Sequence, residues 1–140
     1  MPIDASLTQF PLDRRPASAH NDGVVAIRSA TEARRRALYV EALEIIEREY
    51  SSPLELDDVA HRIATSRRQL QRAFTEVGGA GFRSHLARVR MRRARELLSA
   101  GGVAVRDVAT SVGYRQPAQF ARTFHRHHGA PPSNFLRPQA

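Results

Sequence analysis

Arg68, Gln71, Arg72 and Thr75 fall at i, i+3, i+4 and i+7, one face of any helix that contains them. Their types fit base edges in a DNA groove: Arg grips guanine O6 and N7, Gln grips adenine N6 and N7, and a Thr methyl meets a thymine methyl. Leu70, Ala73, Phe74 and Val77 take the opposite face at the same spacing, so the helix is amphipathic. On an isolated helix the charged face would more commonly be solvated surface. Its position changes the weighing. A preceding helix from Leu56, with Val59, Ala60 and Ile63 inward, and the AlaThrSer turn at 64–66 make a helix-turn-helix. The second helix of that motif enters the major groove. Ser66 caps it, and Ser66 and Arg67 are placed to meet phosphate.

The pattern occurs twice. LDDVAHRIATSRRQLQRAFTEVGG from Leu56 returns as VRDVATSVGYRQPAQFARTFHRHHG from Val105. Asp58, Val59 and Ala60 match Asp107, Val108 and Ala109 at an offset of 49; Arg72, Phe74 and Gly79 match Arg122, Phe124 and Gly129 at 50, one residue having entered the second turn. Two such heads in one chain can address successive grooves without a dimer. The second face is Ala118, Ala121, Arg122 and His125, with Gln116 and Gln119 near the helix start. Gln116, Ala118, Gln119, Arg122 and Arg126 are its candidate DNA contacts, and Arg115 a candidate phosphate contact. Asp58 and Asp107 sit early in their helices, where the dipole favours a negative charge.

Positioning these faces requires helices on either side. Residues 1–30, broken by Pro2, Pro11, Pro16 and Gly23, are expected to be a flexible N-terminal tail. From a Thr31 N-cap, Leu38, Ala42, Ile45, Ile46 and Tyr50 make a helical stripe that SerSerPro at 51–53 stops. A long linker helix spans about 82–99 between GlyGlyAlaGly and GlyGly, and ProPro at 131–132 opens a short last helix. The expected fold is all-α with about seven helices: a first helix-turn-helix at about 56–79, the linker, and a second at about 105–129, within a domain of residues 31–137. The linker carries Arg83, Arg88, Arg90, Arg92, Arg93 and Arg95. Arg88 and Arg92 are expected over phosphates between the grooves, and Arg90 there or in an ion pair with Glu76 or Asp107.

Charge distribution agrees. The net charge is +8; residues 1–65 hold 8 Arg against 11 acidic groups, and residues 66–140 hold 14 Arg against 3. A basic half of this kind suits a polyanion. All 22 basic residues are Arg, and because Arg also replaces Lys on the solvated first helix, a GC-rich genome explains this better than phosphate recognition does. Cys is absent, which excludes disulfides, thiolate zinc sites and Cys nucleophiles. His125, His127 and His128 lack a supporting ligand nearby, so neither a metal nor a cofactor is expected. No nucleophile–base pair or phosphate-binding glycine loop points to an enzyme. No stretch is apolar enough for a membrane span or signal peptide, so a cytoplasmic protein is expected.

LQRAF, FRSHLARVRMRRARELL and DVATSVGYRQPAQFARTFHRHHGAPPSNF resemble the signature of the AraC/XylS family of bacterial transcription regulators, over roughly Val40 to Arg137. The resemblance implies seven helices, two helix-turn-helix subdomains on a rigid linker, and promoter binding that usually activates transcription. Double-stranded promoter DNA and RNA polymerase are the expected partners, the acidic first helix offering the polymerase a surface, and two heads in one chain point to a monomeric DNA-binding domain. Two departures stand out. Gln116, Ala118 and Gln119 replace the family's frequent Asp, Ser and Tyr, and only about 30 residues precede the first helix where many members carry a ligand-sensing domain. A stand-alone regulator and a DNA-binding fragment of a longer one both fit, as does a less selective architectural DNA-binding protein. The family's methyl-transferring repair members need an acceptor Cys, which is lacking.

Overall fold

The computed structural model of the chain describes residues 15–137. Six α-helices follow in order: α1 Arg15–Glu49, α2 Leu56–Arg62, α3 Arg67–Gly78, α4 Phe82–Ala100, α5 Val105–Ser111 and α6 Pro117–His128. A 3₁₀ turn, Pro132–Phe135, closes the fold where a short last helix was expected. No strand occurs among the described residues, and the all-α expectation holds.

The chain divides into a unit up to Arg34 and a unit from Arg35 onward. In the first, α1 begins at Arg15, not at Thr31, so residues 15–30 of the expected tail are helical. The remainder of that tail, residues 1–14, lies outside the described residues. Pro16 falls in the first turn, where no intrahelical N–H is needed. Gly23 costs a helix only about 1 kcal/mol. Thr31 caps nothing: its hydroxyl donates to Ile27 O, 3.0 Å away, within the helix.

The second unit holds both helix-turn-helix motifs around two cores. Leu38, Ala42, Ile45 and Ile46 of α1 pack with Val59 and Ala60 of α2, Leu70, Ala73 and Phe74 of α3, and Phe82, Leu86 and Val89 of α4. Met91, Ala94 and Leu98, from the later turns of α4, pack with Val108 and Ala109 of α5, Val112 and Tyr114 of the turn, and Phe120 and Phe124 of α6. The linker is thus a shared wall, its first half in one core and its second half in the other.

Both helix-turn-helix turns close the same way. Thr65 N–H donates to Ala60 O at 2.9 Å and Ala64 N–H to His61 O at 3.2 Å; Tyr114 N–H donates to Ala109 O at 2.9 Å and Gly113 N–H to Thr110 O at 3.1 Å. This paired closure needs a left-handed residue after the helix. Gly113 supplies it at φ 102°, whereas Ala64 is forced to φ 57°. The left-handed conformation costs an L-residue about 1–2 kcal/mol, of which Gly's extra chain entropy cancels about 0.5–1. Ala64→Gly is therefore expected to raise unfolding free energy by about 0.5–1 kcal/mol in urea titrations; a loss would show that the Ala64 methyl is needed in the turn.

An imidazole seats each recognition helix. His85 of α4 lies against Phe74, with ring centroids 5.0 Å apart. Its Nδ1 is 3.0 Å from Gly81 O and its Nε2 3.2 Å from the Tyr39 hydroxyl, so the ring donates to the carbonyl and accepts from the phenol. Gly78 makes room: a Cβ there would meet Tyr39 at 2.5 Å. In the second copy His128 replaces Gly78. Its ring lies 4.4 Å from that of Phe124, and its Nε2 lies 3.1 Å from Met91 O.

Candidate nucleic-acid interface

The amphipathic spacing of α3 buries Leu70, Ala73 and Phe74, and leaves Arg68, Gln71, Arg72 and Thr75 exposed together. Ser66 Oγ accepts from Gln69 N–H at 3.1 Å, so its own proton is available to a phosphate oxygen. The Thr75 hydroxyl donates back to Gln71 O at 2.7 Å, which leaves its methyl as the outward group. Arg67 pairs with Asp57 at 3.1 Å, both strongly exposed; such a pair is worth 1 kcal/mol at most, by the ~0–1 kcal/mol typical of surface ion pairs, and yields readily to a phosphate.

Helix α6 repeats the arrangement. Phe120, Thr123 and Phe124 are buried; Ala118, Gln119, Arg122, His125 and Arg126 are exposed, and Ala121 is half-buried. Gln116 stands at the N-cap without using its side chain there, and Arg115 is exposed in the turn before it. Partial burial, together with His128, Arg126 and Arg88, holds the His127 imidazole below its usual value. The end of α6 and the middle of α4 thus gather positive charge, where Arg88 was expected to meet phosphate.

The linker arginines divide into two groups. Arg83 and Arg88 are exposed, with no ion pair among the described residues. Arg92, expected on phosphate, is engaged by both oxygens of Glu47 on α1, at 2.6 and 2.8 Å. Arg93 lies between Glu47 and Glu96 at 3.7 and 3.3 Å, and Arg95 lies over the Phe135 ring. Arg90 turns inward. It pairs with neither Glu76 nor Asp107; its Nε and Nη2 donate to Tyr50 O and Ser52 O at 2.7 and 2.9 Å, and its guanidinium lies 5.5 Å from the Tyr114 ring centroid. Carbonyls at the end of α1 take the role expected of a carboxylate, because the helix C-terminus already carries negative partial charge. Burial pulls the Arg90 guanidinium below its ordinary value, while an Arg stays protonated throughout the physiological range. A Cβ on Gly113 would meet the Arg90 guanidinium at 3.0 Å, so this one side chain spans from the exit of α1 to the second helix-turn-helix turn.

Two further residues stand at the first head: Glu76, which accepts from Arg72 Nε at 3.0 Å, and Arg35, which reaches the other Glu76 oxygen. The i, i+4 spacing of Arg72 and Glu76 was a readable signal; the contact from Arg35, 41 residues away, was not. Among the described residues no cluster of three or more His, Asp or Glu could hold a metal, and no helix is long and apolar enough to cross a membrane.

A family model described as a helix-turn-helix domain matches residues 59–138. The chain is 27% identical over 136 residues to the Msm operon regulatory protein of Streptococcus mutans, a match that takes in 96% of this chain and 44% of that protein. The chain therefore spans less than half of that relative. The AraC-type regulator structure from Chromobacterium violaceum superposes with a TM-score of 0.69 at 27% identity, over 74% of this chain and 92% of that one. The DNA-binding domain of the global transcriptional factor AdpA, solved in complex with a target DNA, superposes with a TM-score of 0.63 at 26% identity, over 70% and 87%. With twin helix-turn-helix heads on one shared helix, and with these likenesses across both heads, the chain belongs to the AraC-type helix-turn-helix family of DNA-binding transcription regulators.

Proposed function

We propose that this chain binds an asymmetric duplex site of about two helical turns as a single copy, with α3 and α6 in successive major grooves, and that it regulates transcription of the adjacent promoter. One observation carries the reading: two equivalent exposed faces stand on one 19-residue helix, α4. At about 1.5 Å per residue that helix is some 28 Å long, close to the groove-to-groove repeat of about 34 Å. Arg67, Arg68, Gln71, Arg72 and Thr75 read or flank the first half-site, and Gln116, Ala118, Gln119, Arg122 and Arg126 the second. Ser66, Arg88 and Arg115 hold phosphates; Arg92 joins them only by releasing Glu47. Activation is the direction the family resemblance implies, with RNA polymerase as the partner it requires and the cytoplasm as its place of action.

The two faces are chemically unequal. The first offers two Arg and a Gln; the second offers one Arg, two Ala and a His. Ala meets a thymine methyl but cannot hydrogen-bond a base edge, so the second half-site is read more through shape and backbone. Arg68→Ala or Arg72→Ala is expected to cost about 1–3 kcal/mol and relax preference at one base pair. Changing the base pairs under Ala118 or Ala121 should matter less than changing those under Arg68 or Gln71. A saturation binding profile as sharp in the second half-site as in the first would contradict this assignment. A flat profile in both would favour an architectural DNA-binding protein.

A further inference from the structure

The two heads differ sharply at one position just beyond their reading faces. Fifty residues separate Glu76 from Arg126, as they separate Arg72 from Arg122. In α3 one Glu76 oxygen accepts from Arg72 Nε at 3.0 Å, and the other accepts from Arg35 Nη1 at 2.5 Å. Arg35 belongs to α1 and its side chain is only 20% exposed, so Glu76 is moored to the body of the domain and not merely to its own helix. In α6 the equivalent neighbour of Arg122 is a second cation, and no carboxylate pairs with Arg122 or Arg126 among the described residues.

An exposed ion pair adds little stability; its consequence here is orientation. An Arg side chain carries rotamer entropy that base contact must otherwise remove. With Nε held by Glu76, the donors left to Arg72 are Nη1 and Nη2. Two donors side by side match O6 and N7 of guanine, and no other base presents two adjacent acceptors in the major groove. The Arg72 hydrogen bond, with the Arg35 charge beside it, holds the Glu76 carboxyl below its ordinary value, so Glu76 faces Arg72 as a carboxylate at neutral pH. A carboxylate so near DNA also repels phosphate, which lowers affinity for any sequence while sharpening the choice among sequences.

We propose that Glu76, anchored by Arg35, is the positioning residue that makes Arg72 a reader of guanine, and that the first head sets specificity for this reason. The proposal rests on α3 entering the major groove. The chain and its Arg72→Ala, Glu76→Gln, Glu76→Ala and Arg35→Met variants would be profiled on a duplex pool randomised over two helical turns. Arg72→Ala should lose about tenfold preference for guanine at one base pair. Both Glu76 variants should lose several-fold of that same preference, keep the preference under Arg68, and bind random duplex at least as tightly as the parent. Arg35→Met should follow in the same direction with a smaller loss. Full guanine preference in Glu76→Gln, or equal losses under Arg68 and Arg72, would overturn the positioning role while leaving groove reading intact. An Arg72→Ala variant that changes no base preference would overturn the base contact and this proposal with it.

Discussion

Raising salt from 50 to 200 mM is expected to weaken binding to a duplex site about 10³-fold, by release of counterions from roughly six phosphates at a slope near −0.9 each. The number of phosphates follows from which guanidinium groups of the two heads and the linker have neither a carboxylate nor an aromatic ring against them. Arg68, Arg83, Arg88, Arg106, Arg115, Arg122 and Arg126 are exposed without a carboxylate partner among the described residues, and one or two of these are reserved for bases. Arg92 and Arg93 are held by Glu47, and Arg90 by backbone carbonyls. Fluorescence anisotropy across a salt series checks the slope. A value shallower than about −2 would remove the phosphate contacts assigned to α4 and the turns; one near −8, well beyond the release from six phosphates, would mean that the DNA strips Arg92 and Arg93 from Glu47.

Phe124→Ala is expected to lower unfolding free energy by about 3–5 kcal/mol, a large part of the about 5–15 kcal/mol typical of a domain. Phe124 is fully buried, and its ring meets Phe120, His128 and Phe135 at centroid distances of 5.8, 4.4 and 5.3 Å. Removing it undoes the seat of α6, the closing 3₁₀ turn and the His128 contact at once. Protection of the second half-site should be lost before that of the first, because Phe74, Phe82 and His85 hold α3 in a separate core. Urea titration measures the first effect and footprinting the second. A cost below about 1 kcal/mol would mean that the second core repacks, contrary to the usual behaviour of close-packed interiors.

Local signals were legible in the chain where local physics decides the outcome. The stripe of Leu70, Ala73 and Phe74, the Ser66 cap and the glycine ends placed α3 within a residue, and the repeat carried α6 with it. The equivalence of Ala64 and Gly113 follows from the repeat offset alone. Pro16 and Gly23 read as breakers, yet α1 runs through both, because a first-turn Pro is tolerated and one Gly costs little. The partners of the arginines were not legible. Arg90 meets carbonyls 38 and 40 residues away, Arg92 meets Glu47 at 45, and Arg35 meets Glu76 at 41. Spacing along one helix cannot reveal contacts that only the packing of α1 on α3 and α4 creates. Residue types therefore marked the reading faces, while the division of the Arg residues between DNA and protein needed the fold.

Base-resolved guanine-methylation interference on a selected duplex, combined with light scattering of the complex, separates one chain in two successive major grooves from a dimer or a single-groove contact. One chain per duplex is expected, with two patches of major-groove interference on one face whose centres lie about 10 bp apart. A complex found only at two chains per duplex, or interference confined to a single groove, would rule out reading of both grooves by one chain.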